Sequence, residues 1–110
     1  MIKKLYNNLI NSLNGLKIVL KENSFILELV LGVFLIPYIF LSNIDLNYKI
    51  ILSVLYFLLL AFEIMNTAVE KLCDRVTTDL DPEIKKIKDL SSAAVFLVLT
   101  LLVIIFLVTF

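Results

Sequence analysis

Glu63, Asn66, Glu70 and Asp74 lie within one short segment, Glu63-Ile-Met-Asn66-Thr-Ala-Val-Glu70-Lys-Leu-Cys-Asp74-Arg75. On a helix the three acids fall within a wedge of roughly 40°, with Asn66 about 60° to one side. At about 1.5 Å per residue this polar stripe runs roughly 16 Å along the axis, from an apolar run at Glu63 towards charged sequence at Asp74. A carboxylate inside a membrane costs on the order of 2.5 to 3.5 kcal/mol, and several on one face repel one another. Divalent cations, the nearby Lys71, Arg75 and Lys88, or protonation of one carboxyl can offset that cost. A shallow, partly desolvated acid suits a general base, whereas acids nearer water suit Mg²⁺ that carries phosphates. The same stripe also suits a structural role, as polar glue between helices.

Other chemistry-bearing residues are few. Glu22 and Glu28 flank the start of an apolar run and, six residues apart, point to different sides of a helix. Lys88-Asp89 precedes Ser91-Ser92-Ala93-Ala94, where small residues favour close helix packing. The chain has no His and a single Cys, Cys73, so it lacks an intrachain disulfide and the commonest ligand and base for zinc, haem and imidazole chemistry. Gly15 and Gly32 are the only glycines; with no Walker A or kinase glycine loop, a nucleotide site here must be built from metal-bridging carboxylates and Lys.

These residues must be positioned by membrane helices. With 110 residues, 61% of them hydrophobic and 18% charged, and a mean hydropathy of +1.02, the chain is an integral membrane protein. Its zero net charge argues against a basic nucleic-acid binder. Leu5, Leu9, Leu13, Leu16 and Leu20 form one stripe of an amphipathic helix over residues 1–22, with Lys3, Lys4, Lys17 and Lys21 elsewhere on the wheel; such a helix lies along the membrane interface. Asparagines interrupt its apolar residues, so the N-terminus reads as part of the mature protein. Three transmembrane spans follow at 26–42, 49–70, continuing into the cytoplasm, and 92–110. A charged cytoplasmic loop, 71–90, contains Asp81-Pro82, a cap and first-turn pair for a short helix leading into the third span. Residues 1–110 thus form a single all-α membrane domain.

Nine of the ten Lys and Arg flank the first span on its N-terminal side or lie between the second and third; only Lys49 lies opposite. This places the N-terminus in the cytoplasm and the C-terminus outside. Three spans make a thin bundle with little polar interior, so a homo-oligomer is expected to shelter the embedded carboxylates.

The segment Glu63 to Glu70, then Asp74-Arg75, then Lys88-Asp89 with Ser92-Ala93-Ala94 at fixed intervals, resembles the signature of the prokaryotic diacylglycerol kinases. The likeness extends over the three-span layout and the amphipathic start, with one gap in the N-terminal helix. It implies a homotrimer of the bacterial inner membrane that transfers the γ-phosphoryl group of ATP to diacylglycerol, with Mg²⁺ and with sites composed at subunit interfaces. By resemblance, Glu63 is the general base. Glu22 and Glu70 hold the metal and nucleotide, supported by Asn66 and Asp74. Lys4, Asn11, Asp79, Leu80, Asp81, Lys88 and Asp89 complete the ATP contacts, and Glu28 and Ser92 join Glu63 near the lipid.

Lys4 stands where the family commonly has Arg, and Trp is absent. The related undecaprenol kinases typically carry His where this chain has Glu28; that residue and the Ser-Ser-Ala-Ala stretch favour the diacylglycerol branch. From a different class, an oligomeric cation channel would use the acidic stripe as a path, but the segment Ile50 to Phe62 offers no polar lane to the far side.

Overall fold

Apolar periodicity, caps and breakers divide the chain into four helices. The computed structural model describes residues 1–110, with α1 at Ile2–Val19, α2 at Asn23–Leu41, α3 at Leu46–Val76 and α4 at Pro82–Thr109. The last three are long and apolar enough to cross a membrane. α3 has 31 residues, about 46 Å at 1.5 Å per residue, and so overruns a hydrocarbon core of about 30 Å by several turns. There are no strands: this is an all-helical membrane protein.

α3 is the central element, packing against α4 and α2. Of its buried residues, Leu52, Tyr56, Leu59, Glu63 and Asn66 follow alternating four- and three-residue steps, with Thr67 beside Asn66 and Cys73 seven residues beyond it, a spacing that keeps one seam facing its neighbours. The apolar half of this seam meets Leu35 and Ile39 of α2 and Leu102 of α4 in one core cluster, flanked by Val95, Val98 and Leu99. At the end remote from the acidic stripe, the Tyr38 hydroxyl lies 2.9 Å from Thr109 Oγ1 and its ring packs edge-on against Phe106 with centroids 4.9 Å apart, joining α2 to α4. Pro37 within α2 removes one backbone donor, which neighbouring helices make tolerable in a membrane span.

The stretch 71–90 differs from a plain loop. α3 persists to Val76 and α4 begins at Pro82, leaving only residues 77–81 as a connection. Asp81 accounts for the early restart: its Oδ1 accepts from the backbone N–H of Glu83 at 2.9 Å and of Ile84 at 3.2 Å, satisfying donors that a helix start leaves unpaired. Pro82 takes the first helical position, where its missing N–H costs nothing. Thr77 Oγ1 accepts from Asp79 N at 3.0 Å and tightens the connection. So short a link makes α3 and α4 antiparallel neighbours.

α1 stands apart: Val19 is its only buried residue. Leu5, Leu9, Leu13, Leu16 and Leu20 are all exposed, so the chain itself covers none of the apolar stripe.

Candidate active site

Along the α3 seam, the side chains turn from apolar to polar after Leu59. Glu63, Asn66 and Thr67 are the buried polar residues of the whole chain, and Glu63 is only 4% exposed. One hydrogen bond reaches the Glu63 side chain: Ser24 Oγ, in the first turn of α2, donates to Oε1 at 2.6 Å. Four residues along the same α2 face, the Glu28 carboxyl comes within hydrogen-bonding reach of Glu63, while its Oε2 is buried without a partner. The Tyr56 hydroxyl donates to the Glu28 backbone carbonyl at 2.9 Å. Gly32, a further turn along, leaves room for that tyrosine, because a Cβ there would overlap its hydroxyl. Ser24, Glu28 and Gly32 therefore form one four-spaced face of α2 set against the Glu63 and Tyr56 side of α3.

One turn further along α3, Asn66 Nδ2 donates to Glu70 Oε1 at 3.0 Å; Asn66 Oδ1 is buried and unpartnered. Glu70 and Asp74 are exposed, so the stripe passes from buried at Glu63 to solvated at Glu70 within about two turns. Two ion pairs tie neighbouring helices to this end of α3: Lys71 Nζ lies 3.2 Å from Glu22 Oε1, and Lys88 Nζ lies 2.7 Å from Asp74 Oδ1. The hydrogen bond to Asp74 raises the Lys88 pKa above its ordinary value, so Lys88 is a cation at any physiological pH. Beside it, residues of the 77–81 connection, with Ile84, Lys85 and Lys88 of α4, line an open groove of about 510 Å³. Asp89 pairs with Lys85 at 2.7 Å, and Leu80 is fully exposed.

The residues singled out in the sequence thus separate into three groups. In the first, Glu28 and Glu63 form one pair on the α2–α3 face, and Asn66 and Glu70 form a second pair on α3. Glu22, Asp74, Lys88 and Asp89, with Asp79, Leu80 and Asp81, are reached through ion pairs or line the groove. Lys4, Asn11 and Ser92 are exposed, and no side-chain hydrogen bond within the chain joins them to the other two groups. Of the cations available to compensate the stripe, Lys71 serves Glu22 and Lys88 serves Asp74. Two site residues escaped the sequence reading, Ser24 and Tyr56. The i, i+4 spacing of Ser24 and Glu28 was the available signal for the first.

No three acidic, Cys or His side chains of one chain converge as a metal cage. The donors present are nevertheless hard oxygens: the Glu22 and Glu70 carboxylates and the orphaned Asn66 carbonyl. Such a set suits Mg²⁺, which is commonly held by one or two carboxylates together with substrate phosphates and water rather than by an all-protein cage.

The fold and site define a small helical membrane protein with a carboxylate site where its central helix leaves the apolar core. The family model for prokaryotic diacylglycerol kinase matches residues 10–110. The chain is 32% identical over 102 residues to a diacylglycerol kinase of Pseudomonas aeruginosa, covering 92% of this chain and 83% of that protein. It is 34% identical over 84 residues to a diacylglycerol kinase of a Sinorhizobium species, covering 76% of this chain and 61% of the relative. The chain belongs to the prokaryotic diacylglycerol kinase family. Lys4 lies outside the matched residues.

Proposed function

We propose that the protein phosphorylates diacylglycerol to phosphatidic acid at the cytoplasmic membrane face, using ATP and Mg²⁺. The observation that carries this reading is Glu63: a carboxyl 4% exposed, at the boundary between an apolar seam and an ionic surface. A lipid alcohol and a water-soluble nucleotide can meet only at such a boundary. Glu63 takes the proton of the lipid hydroxyl as its oxygen attacks the γ-phosphorus; the bond from that phosphorus to the bridging oxygen breaks, and ADP leaves. Proton removal by a positioned base contributes typically about 10²- to 10⁴-fold, while placement and electrostatics supply most of the rest in phosphoryl transfer.

Glu22 and Glu70 would hold Mg²⁺ with the nucleotide, Asn66 and Asp74 supporting them; the ion neutralises phosphate charge when bound. Lys88 and the groove residues Asp79, Leu80 and Asp81, with Asp89, contact ATP, joined by Lys4 and Asn11 from α1. Glu28 and Ser92 flank the lipid. Three copies assemble in the bacterial inner membrane, with N-termini in the cytoplasm and C-termini outside, an orientation that the distribution of Lys and Arg supports.

An assay of ADP release with purified protein in mixed micelles tests the activity, run side by side with diacylglycerol and undecaprenol. ADP release with formation of phosphatidic acid, exceeding that with undecaprenol, is expected. Faster turnover of undecaprenol would reassign the lipid, and lipid-independent ion flux without ATP use would replace the kinase by the channel reading.

A further inference from the structure

We propose that Ser24 is a positioning residue for Glu63, its hydroxyl holding the carboxylate in the orientation from which it takes the substrate proton. This rests on the assignment of Glu63 as the base. Glu63 has a flexible side chain, and the one hydroxyl that donates to it is Ser24 Oγ, 2.6 Å from Oε1. The other group that α2 presents to it is the Glu28 carboxyl, four residues along the same face. Removing the Ser24 hydroxyl therefore leaves Glu63 with no hydroxyl, amide or cation to set its rotamer.

The donor is itself held in place. Two residues before it, Glu22 pairs with Lys71 of α3 at 3.2 Å. Immediately after it, Phe25 is 4% exposed, and one turn on, Tyr56 clasps the Glu28 carbonyl at 2.9 Å. The first turn of α2 is thus pinned to α3 on both sides of Ser24, which fixes its hydroxyl relative to the α3 backbone that carries Glu63. Ser24 remains exposed while Glu63 is buried. A hydroxyl on Oε1 constrains the carboxylate while leaving Oε2 unengaged by Ser24.

Hydrogen bonds to charged groups are among the stronger ones, and small misplacements of reacting groups are costly. Ser24→Ala is accordingly expected to lower kcat about ten- to a hundredfold, with the KM for ATP changed by less than about twofold. Ser24→Thr, which keeps a hydroxyl, should recover most of the rate. These variants are measured with the wild type in diacylglycerol mixed micelles, alongside thermal unfolding and oligomer size.

Reduced kcat at unchanged stability and oligomer size, restored by Thr, supports the assignment. An unchanged kcat for Ser24→Ala in an active enzyme overturns it while leaving the kinase reading intact. A raised kcat also overturns it, since Ser24 would then be occupying the place of the substrate hydroxyl. A loss that tracks unfolding, or that Thr fails to restore, reduces Ser24 to a packing residue. Wild-type protein without lipid kinase activity overturns the kinase reading and this proposal together.

Discussion

Gly32→Ala is expected to loosen the α2–α3 contact and, through it, the site one and two turns away. A Cβ at Gly32 would overlap the Tyr56 hydroxyl and approach its ring carbon Cζ to 2.5 Å. Tyr56 cannot simply swing aside, because it is 3% exposed within the core and its hydroxyl is bonded to the Glu28 carbonyl. Overpacking of this kind costs about 1 to 3 kcal/mol, and loss of the hydrogen bond adds about 0.5 to 1.5. The sum, about 1.5 to 4.5 kcal/mol, exceeds the typical effect of a point substitution at its upper end. A double-mutant cycle with Tyr56→Ala isolates the contact. Truncating Tyr56 is itself costly, but it removes the atoms that the new methyl meets, so Gly32→Ala should cost at least about 1 kcal/mol less in that background. Unfolding by SDS titration in mixed micelles gives the four stabilities. Additive costs would refute the reasoning, because they would mean that the residue-32 methyl and the Tyr56 ring do not compete for space. A stable Gly32→Ala variant with full activity would refute it more simply.

Other substitutions test separate parts of the account. Glu70→Gln should raise the Mg²⁺ concentration needed for half-maximal rate, while leaving the fold intact because Glu70 is exposed; an unchanged Mg²⁺ profile would remove it from the metal site. Glu22→Gln should have a similar effect and also free Lys71, read as a weaker α2–α3 association in the same SDS titration. Asp81→Ala removes the cap that serves Glu83 and Ile84 and should cost about 0.5 to 2 kcal/mol, seen as faster amide exchange confined to the first turn of α4. Asp74→Asn removes the carboxylate charge from the bond that raises the Lys88 pKa. That stabilisation is held at neutral pH and is lost only as pH rises through the raised Lys88 value, so the variant and the wild type should converge in stability at strongly alkaline pH.

The polar stripe was legible because helical periodicity alone places Glu63, Glu70 and Asp74 on one face. What periodicity could not supply was how deeply each would sit. Glu63 and Asn66 are buried because they continue the seam begun by Leu52, Tyr56 and Leu59, whereas Glu70 and Asp74 are exposed although Cys73 between them stays buried. Ser24 and Tyr56 were missed for a related reason. Their partners lie 39 and 28 residues away, and pairing between helices depends on axial register and approach distance, which the single Gly32 helps to set. The 71–90 stretch looked loop-like because it is charged. Charge is no bar to a helix once it leaves the membrane, and Asp81 with Pro82 restarts the chain almost at once. The exposed leucines of α1 kept the pattern of an interfacial helix, a pattern carried by local spacing alone.

The central claim is that a buried carboxyl at residue 63 removes the proton from a lipid alcohol. It is tested most directly by comparing wild type and Glu63→Gln in diacylglycerol mixed micelles, with nucleotide binding and phosphatidic acid formation measured on the same preparations. The account expects phosphatidic acid from the wild type, none above background from Glu63→Gln, and comparable Mg²⁺-nucleotide binding by both. Turnover by Glu63→Gln near the wild-type rate, or loss of nucleotide binding as the sole cause of its inactivity, would contradict it.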